Sequence, residues 1–521
     1  MEETKKIKKT ILIIILTVII LIQVLARIYI GFKKEYFHID EAYSYALMNY
    51  DKIQITENED FYGNWHTKDY YIDYLSVNED EKWDLKPVYE NQKNDVHPPL
   101  YYLLLRIAAT FTINDFTKWT GIILNIIISI FSTILVYFIA NILFKNQKMA
   151  LLTCFVAGLT LGALDTTAYI RMYELANLFV LLITYFHLRI YHKKDVQIKD
   201  LVFIGISILL GSLTHYYVII YTAFLFILFV IKYISTKEYK NLRNYITCFV
   251  IAASVSILIF PHSLRHMFSG YRGQEAQSNL LNVESLVNNI ATYTSIILKN
   301  LFGGLGIFII VVYIILYIKK RKNMVAQENK EINLLLIPTI LYFILVAQIS
   351  SYKELRYIMP IISIAMICVI YMFYKLFKQY VSTKKAEIMV TIMAVIIIVA
   401  PILTGSHLDF TYTKMNHLAD KMEEKSSIPT LYILNENNIR FLDDIYIFTK
   451  LEESYIMKYS QASIENIQEA LKDKDTSNGI IFVYNRDVKP EKILEEVKQT
   501  YHYQTEEDIQ NLNSGKVKYL Y

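Results

Sequence analysis

The apolar residues of this chain are clustered into long runs rather than dispersed at core-face spacing. Ile11–Ile30, Trp119–Phe144 and Ile388–Leu403 are each close to the length that crosses ~30 Å of hydrocarbon. Taken along the chain, the pattern predicts eleven spans, at residues 11–30, 119–144, 149–165, 174–191, 200–214, 216–232, 246–261, 296–318, 332–349, 355–376 and 387–404. One further apolar stretch, 98–113, is shorter and holds Arg106 near its middle. Beyond Leu403 the long runs stop. Strand-like pieces at Thr430–Leu434, Tyr455–Tyr459, Gly479–Tyr484 and Lys516–Tyr521 alternate there with amphipathic helical pieces at Ser463–Lys472 and Pro490–Thr500, which predicts a small α/β domain. The predicted architecture is therefore mainly α: a polytopic membrane helical bundle over 1–404, followed by the α/β domain over 405–521.

Composition supports this division. Of 521 residues, 54% are hydrophobic and 20% charged, with a mean hydropathy of +0.29, fewer charges than a soluble chain of this size carries. The net charge of +4 is small, and Lys and Arg sit in short clusters between apolar runs. That argues against a nucleic-acid partner and for membrane topology signals. If 98–113 lies in the outer interface rather than crossing, loops 145–148, 189–199, 232–243, 319–330 and 375–385 are cytoplasmic and hold 19 Lys or Arg, against 5 in the opposite loops. Making 98–113 a span inverts that ratio. The expectation is an interfacial helix at 98–113 with Arg106 reaching the headgroups, a cytoplasmic N-terminus and an extracytoplasmic C-terminal domain. The first apolar run follows Lys5, Lys6, Lys8 and Lys9, is too long for a signal h-region and has no small-residue cleavage site after it, so it reads as a retained signal-anchor. Cys154, Cys248 and Cys368 all fall inside apolar runs and read as packing residues rather than a metal knot or disulfide framework.

This topology makes 31–96 the first external loop, with 15 acidic and 7 basic residues and many aromatics. A long loop without a strong periodic pattern points to function. Four outer clusters hold candidate chemistry. In His38-Ile39-Asp40-Glu41-Ala42-Tyr43 an adjacent carboxylate pair could supply a general base or a metal ligand; the alternative is a solvated acidic loop. In Asp95-Val96-His97-Pro98-Pro99-Leu100-Tyr101-Tyr102 two prolines start a helix, and its N–H groups beside His97 could meet a phosphate; the alternative is an ordinary Pro-initiated helix. Arg171, in Asp165–Glu174, sits at the outer boundary, where it could pair with an anionic headgroup or merely anchor its helix. The last cluster is two short turns, Thr214-His215-Tyr216-Tyr217 and Tyr352–Pro360, where His215 and Arg356 are polar groups at the membrane boundary. Each of these also has a structural reading when taken singly.

The order of the clusters is more informative. Asp-Glu after the first span, then His-Pro-Pro-Leu-Tyr-Tyr, Ile-Arg-Met-Tyr-Glu, Thr-His-Tyr-Tyr and Arg-Tyr-Ile-Met-Pro resembles the polytopic GT-C glycosyltransferases. The resemblance is to the bacterial family related to protein O-mannosyltransferases and aminoarabinose lipid A transferases (glycosyltransferase family 39-like). It covers roughly residues 10–230 and returns at Arg356–Pro360. It implies inverting transfer of a hexose or pentose from a polyprenyl monophosphate donor to a lipid, protein or cell-wall glycan acceptor, on the outer face of a bacterial plasma membrane. Carried over, Asp40 is the general base and Glu41 a neighbour that orients the acceptor or a metal. His97, Arg171, Tyr173, His215 and Arg356 would bind the donor phosphate. Some relatives use a divalent metal beside an acid and a histidine; Val96 stands here where some of those have the acid, so a divalent metal stays an open alternative. A transporter or flippase for a lipid-linked glycan is the rival reading and requires polar groups buried mid-span; a glycan polymerase or ligase, with its large loop late in the chain, is another.

Overall fold

A computed structural model describes residues 2–49, 55–320, 330–406, 408–435, 440–512 and 515–521. Most of the expected cytoplasmic loop 319–330 lies outside the described residues. Eight described helices are long and apolar enough to cross a membrane: Lys9–Lys33, Lys118–Phe144, Tyr173–Ile190, Tyr216–Ser235, Tyr239–Ile259, Lys330–Ile349, Met359–Phe377 and Thr383–Leu403. This is a multi-pass membrane protein. The span expected at 149–165 is a pair, Gln147–Leu159 and Leu161–Ala168, bent by 51°. Thr160 is extended at the break, and its Oγ1 accepts the Ala163 N–H at 3.3 Å, which restarts the helix. The spans expected at 200–214 and 296–318 fall on shorter helices, Ile198–Ser212 and the pair Leu286–Asn300 and Gly306–Lys320. Hydropathy reads straight through the break in that pair, but Gly303 and Gly304 turn the backbone there with φ of 57° and 78°.

The chain divides into two compact units. One comprises Met1–Ile30, Asp95–Tyr101 and Ile122–Asp409; the other comprises Gly31–Asn94, Tyr102–Gly121 and Phe410–Tyr521. The first is the helical bundle, held internally by polar groups as well as packing. Gln23 Nε2 donates to Cys154 O at 2.9 Å, and Thr133 Oγ1 donates to Gln23 Oε1 at 2.6 Å. Arg27 donates to Gly158 O and to Thr167 Oγ1, each at 3.0 Å, and Thr167 Oγ1 donates to Glu174 at 3.1 Å. Polar groups withdrawn from water survive only when paired, and these are paired largely with the carbonyls around the bent helix.

The second unit is built on a six-stranded sheet. Its strands are β1 (Trp65–Thr67), β2 (Thr430–Leu434), β3 (Glu453–Lys458), β4 (Ile480–Asn485), β5 (Glu506–Asn511) and β6 (Gly515–Leu520), in the order β1-β3-β2-β4-β6-β5. The central β3-β2-β4 pairs are parallel and the outer pairs antiparallel. β2 and β4 are buried at every residue, as continuous apolar strands covered on both faces must be. Ile467, Leu471, Ile493, Leu494 and Val497, from helices Ile464–Leu471 and Glu491–Tyr501, pack with Leu431, Ile433 and Phe482. Phe441 and Phe448, from helix Phe441–Phe448, pack with Tyr432 and with Tyr71 of the first loop.

The α/β character expected after 404 is present, but the boundary differs. Residues 31–94 and 102–121 group with the C-terminal residues, because β1 pairs Trp65 with Tyr455 in the sheet. Arg106 also departs from expectation. Rather than reaching toward headgroups, it is fully buried and donates to Asn49 Oδ1, to the Met48 and Asn49 carbonyls and, at 2.9 Å, to Glu81 O. The Glu81 carboxylate lies 3.8 Å away. A guanidinium offered several oxygens in a fixed fork gains more there than by extending into water.

Candidate functional site

In the bundle, the segment before helix Leu100–Ala109 carries Asp95 and His97. Two residues apart and non-helical, they bring His97 Nδ1 within 2.9 Å of Asp95 Oδ2. Prolines 98 and 99 bring no N–H, and the Leu100 N–H donates to Leu213 O at 2.9 Å. The helix start thus offers fewer donors than its sequence predicts, and that hydrogen bond ties the His97 segment to the turn carrying His215. Burial pushes the Asp95 carboxyl up, but His97 and then Arg171 outweigh it and hold it below the usual carboxylate range.

His215 caps helix Tyr216–Ser235, its Nδ1 accepting the Tyr217 N–H at 3.0 Å. With that lone pair engaged, the proton of the neutral ring resides on Nε2. Burial, reinforced by the charges of His97 and Arg171, holds His215 well below its usual range, so it acts as a neutral donor. The His97 and His215 rings are 6.0 Å apart, and Tyr173 lies 5.4 Å from His215. Tyr173 stacks on Tyr169 at 5.7 Å, and Tyr169 Oη accepts from Arg356 at 3.0 Å. Arg356 is in turn paired with Glu354 at 2.8 Å.

The structure therefore brings His97, Arg171, Tyr173, His215 and Arg356 into one cluster. Arg171, His215 and Arg356 are each more than nine-tenths buried. Sequence reasoning did not single out Asp95, Tyr169 or Glu354 for roles. The i, i+2 spacing of Asp95 and His97 was a usable signal; the reach of Arg356 to Tyr169, 187 residues apart, gave none. Two guanidiniums, two imidazoles and tyrosine hydroxyls in a desolvated site can take up a phosphate and stabilise charge that develops on it.

Asp40 and Glu41 lie in the other unit, in the first turn of helix Ile39–Asn49. Glu41 is fully buried: its Oε2 accepts the His38 N–H at 2.7 Å, half of a capping box, and meets Lys34 Nζ at 2.9 Å. Lys34 also donates to Phe410 O at 2.6 Å. Asp40 remains about a quarter exposed, beside His38, whose Nδ1 accepts the Asp40 N–H at 3.0 Å. The adjacent carboxylates thus separate into a partly open one and one committed to holding the turn, which runs against an acceptor- or metal-orienting role for Glu41.

Asp443, absent from the sequence reading, faces the same turn and accepts the Ile39 N–H. Burial pushes its carboxyl up; Arg440 opposes this, the Asp40 charge adds to it, and the result is about 6. Among the described residues no three His, Cys, Asp or Glu side chains converge as a metal donor set.

Residues 96–263 match the family model described as dolichyl-phosphate-mannose-protein mannosyltransferase. That stretch contains His97, Arg171, Tyr173 and His215. No curated relative matches the chain by sequence. Among solved structures, the chain is similar to ArnT from Cupriavidus metallidurans bound to undecaprenyl phosphate, at 10% identity and a TM-score of 0.53, covering 96% of this chain and 97% of that one. It is also similar to the Archaeoglobus fulgidus oligosaccharyltransferase in complex with zinc and sulfate, at 13% identity and a TM-score of 0.51, covering 90% of this chain and 68% of that one. The chain therefore has the fold of the GT-C membrane glycosyltransferases.

Proposed function

We propose that this protein transfers a hexose or pentose from a polyprenyl-monophosphate donor to a hydroxyl of a protein, lipid or cell-wall acceptor on the outer face of the plasma membrane, with inversion. The observation that carries the reading is the partly buried Asp95–His97 pair beside the buried Arg171 and His215; His97, Arg171 and His215 lie in the stretch matched by the mannosyltransferase family model. The solved relative with undecaprenyl phosphate bound supports the same donor class.

In the step, the bond from the sugar's anomeric carbon to the phosphate oxygen breaks, and the electron pair leaves with the polyprenyl phosphate. The acceptor oxygen forms the new bond from the opposite side, and its proton passes to Asp40. Arg171, with Arg356 and His97, holds the phosphate as its charge grows. His215 adds a neutral Nε2–H donor.

The transporter reading is weakened by the interior of the bundle. Arg27, Glu174, Ser129, Ser132 and Thr133 do line a mid-bundle cavity, but its volume is only about 20 Å³, close to that of one water. That space holds a water and not a sugar.

The test is transfer of labelled sugar from polyprenyl-phosphate donors in vesicles, comparing the native chain with Asp40→Asn. Transfer by the native chain that is lost in the variant supports both the activity and the base. Equal transfer moves the base elsewhere, and no transfer from any donor overturns the reading.

A further inference from the structure

The phosphate cluster is assembled from chain segments far apart in sequence, and one buried side chain links two of them. Asn125, in helix Lys118–Phe144, is fully buried. Its Nδ2 donates to the carbonyls of Thr167 at 3.1 Å and Tyr169 at 3.0 Å. Its Oδ1 accepts the Tyr101 hydroxyl at 3.3 Å. Tyr101 lies in the first turn of the helix that follows His97-Pro98-Pro99. The Tyr169 carbonyl, in turn, accepts the Arg171 N–H at 2.7 Å. One amide thus connects the His97 segment to the stretch that presents Arg171.

The chemistry of the position is restrictive. Helix Leu161–Ala168 ends just before this stretch, and helix Tyr173–Ile190 begins just after it. Carbonyls at a helix end have no partner within the helix, and Thr167 and Tyr169 are buried away from bulk water. Only a primary amide offers two N–H donors to two carbonyls while also accepting a hydroxyl. A carboxylate would set negative charge against both carbonyls, and an aliphatic side chain would remove both amide donors.

We infer that Asn125 is a positioning residue that fixes Arg171 relative to His97 and thereby sets the affinity for the donor phosphate. This rests on the reading of the cluster as the donor-phosphate site. A purely space-filling or carbonyl-satisfying role would affect stability alone. A positioning role also alters donor binding selectively.

The experiment measures binding of sugar-free polyprenyl monophosphate to the purified full chain in lipid nanodiscs, together with donor KM, acceptor KM and kcat in vesicles. The proteins are the native chain, Asn125→Ala, Asn125→Asp and Tyr101→Phe, with Arg171→Ala as the reference for a lost phosphate contact. Both Asn125 variants are expected to weaken phosphate binding and raise donor KM by about tenfold, a displacement-sized effect, while acceptor KM stays within about twofold. Tyr101→Phe keeps the amide's bonds to both carbonyls and cuts only the link to the His97 segment; a donor-KM increase of about two- to threefold is expected. Folded Asn125 variants with native phosphate affinity overturn the inference. If those variants do not fold, native phosphate affinity and donor KM in Tyr101→Phe overturn it. Native protein that binds no polyprenyl monophosphate overturns the donor-site reading and this inference with it, whereas native binding with unaffected variants removes this inference alone.

Discussion

The Lys34 ammonium lies 2.9 Å from Glu41 Oε2, and neither side chain is exposed. That pair decides which of two adjacent carboxylates has a structural task. Glu41→Gln leaves a buried ammonium without its counter-charge, a change that typically costs about 3–5 kcal/mol. Asp40→Asn removes a partly exposed charge and is expected to change stability by less than about 1 kcal/mol. Transfer is expected to fall about 10²–10⁴-fold in Asp40→Asn, the range of a lost general base. Thermal unfolding and vesicle transfer on the two variants separate the roles; a stable Glu41→Gln that is inactive would reverse them.

Arg171 is buried, and its charge acts on both Asp95 and His215. Arg171→Ala is expected to abolish turnover while the protein still folds and inserts. Arg171→Lys should recover a small part, because a point charge replaces a planar fork. Normal turnover in Arg171→Ala would take this residue out of the mechanism.

Arg106 holds together residues 48, 49 and 81 through its guanidinium. Arg106→Ala leaves buried oxygen acceptors unpaired and is expected to destabilise the protein by about 1–3 kcal/mol, and Arg106→Lys should rescue little of it. A lipid-anchoring arginine would instead tolerate lysine, so the melting temperatures of the two variants decide between the roles.

Asp443 titrates near 6 in the folded protein, above the ordinary 3.8. Between those values the native state binds a proton that the unfolded chain has released, so stability falls as pH rises through this window and levels off above it. A shift of about two pH units corresponds to roughly 3 kcal/mol as an upper bound. Asp443→Asn keeps an acceptor for the Ile39 N–H and removes the charge. It is expected to raise the melting temperature at pH 7.5 and leave it unchanged near pH 4. An equal shift at both values would show that this ionisation does not matter to the fold.

The parts legible in the sequence were those written in local pattern. The apolar runs located the long helices, and β2 was read at its exact bounds because Thr430–Leu434 is a continuous buried strand. The edge strand β5, Glu506–Asn511, was not found: it is mostly exposed and carries three acids, so it has no apolar alternation. β1 is three residues long and becomes a strand only through β3. Arg106 was misplaced for the same reason, since its partners come from the first loop, 25 to 58 residues earlier in the chain. In the site, residues whose type announces chemistry, such as His97, Arg171 and His215, could be named. Asn125 and Tyr169 act through backbone carbonyls and one distant hydroxyl or guanidinium, which composition does not reveal. Asp443 could not be connected to Asp40 across four hundred residues of sequence.

The pairing of β1 with β3 has a consequence for biosynthesis. Trp65 is made 390 residues before Tyr455, its partner in the sheet. At about 5–20 residues per second, that separation corresponds to a wait of about 20–80 s on the ribosome. During this interval the first loop has no sheet to join, and once β3 forms, its outer edge lies open until β1 arrives. An open strand edge invites pairing with other chains. Maturation therefore includes the closure of an early segment onto a late one, and a nascent chain stalled before Tyr455 would expose a first loop with no sheet to join.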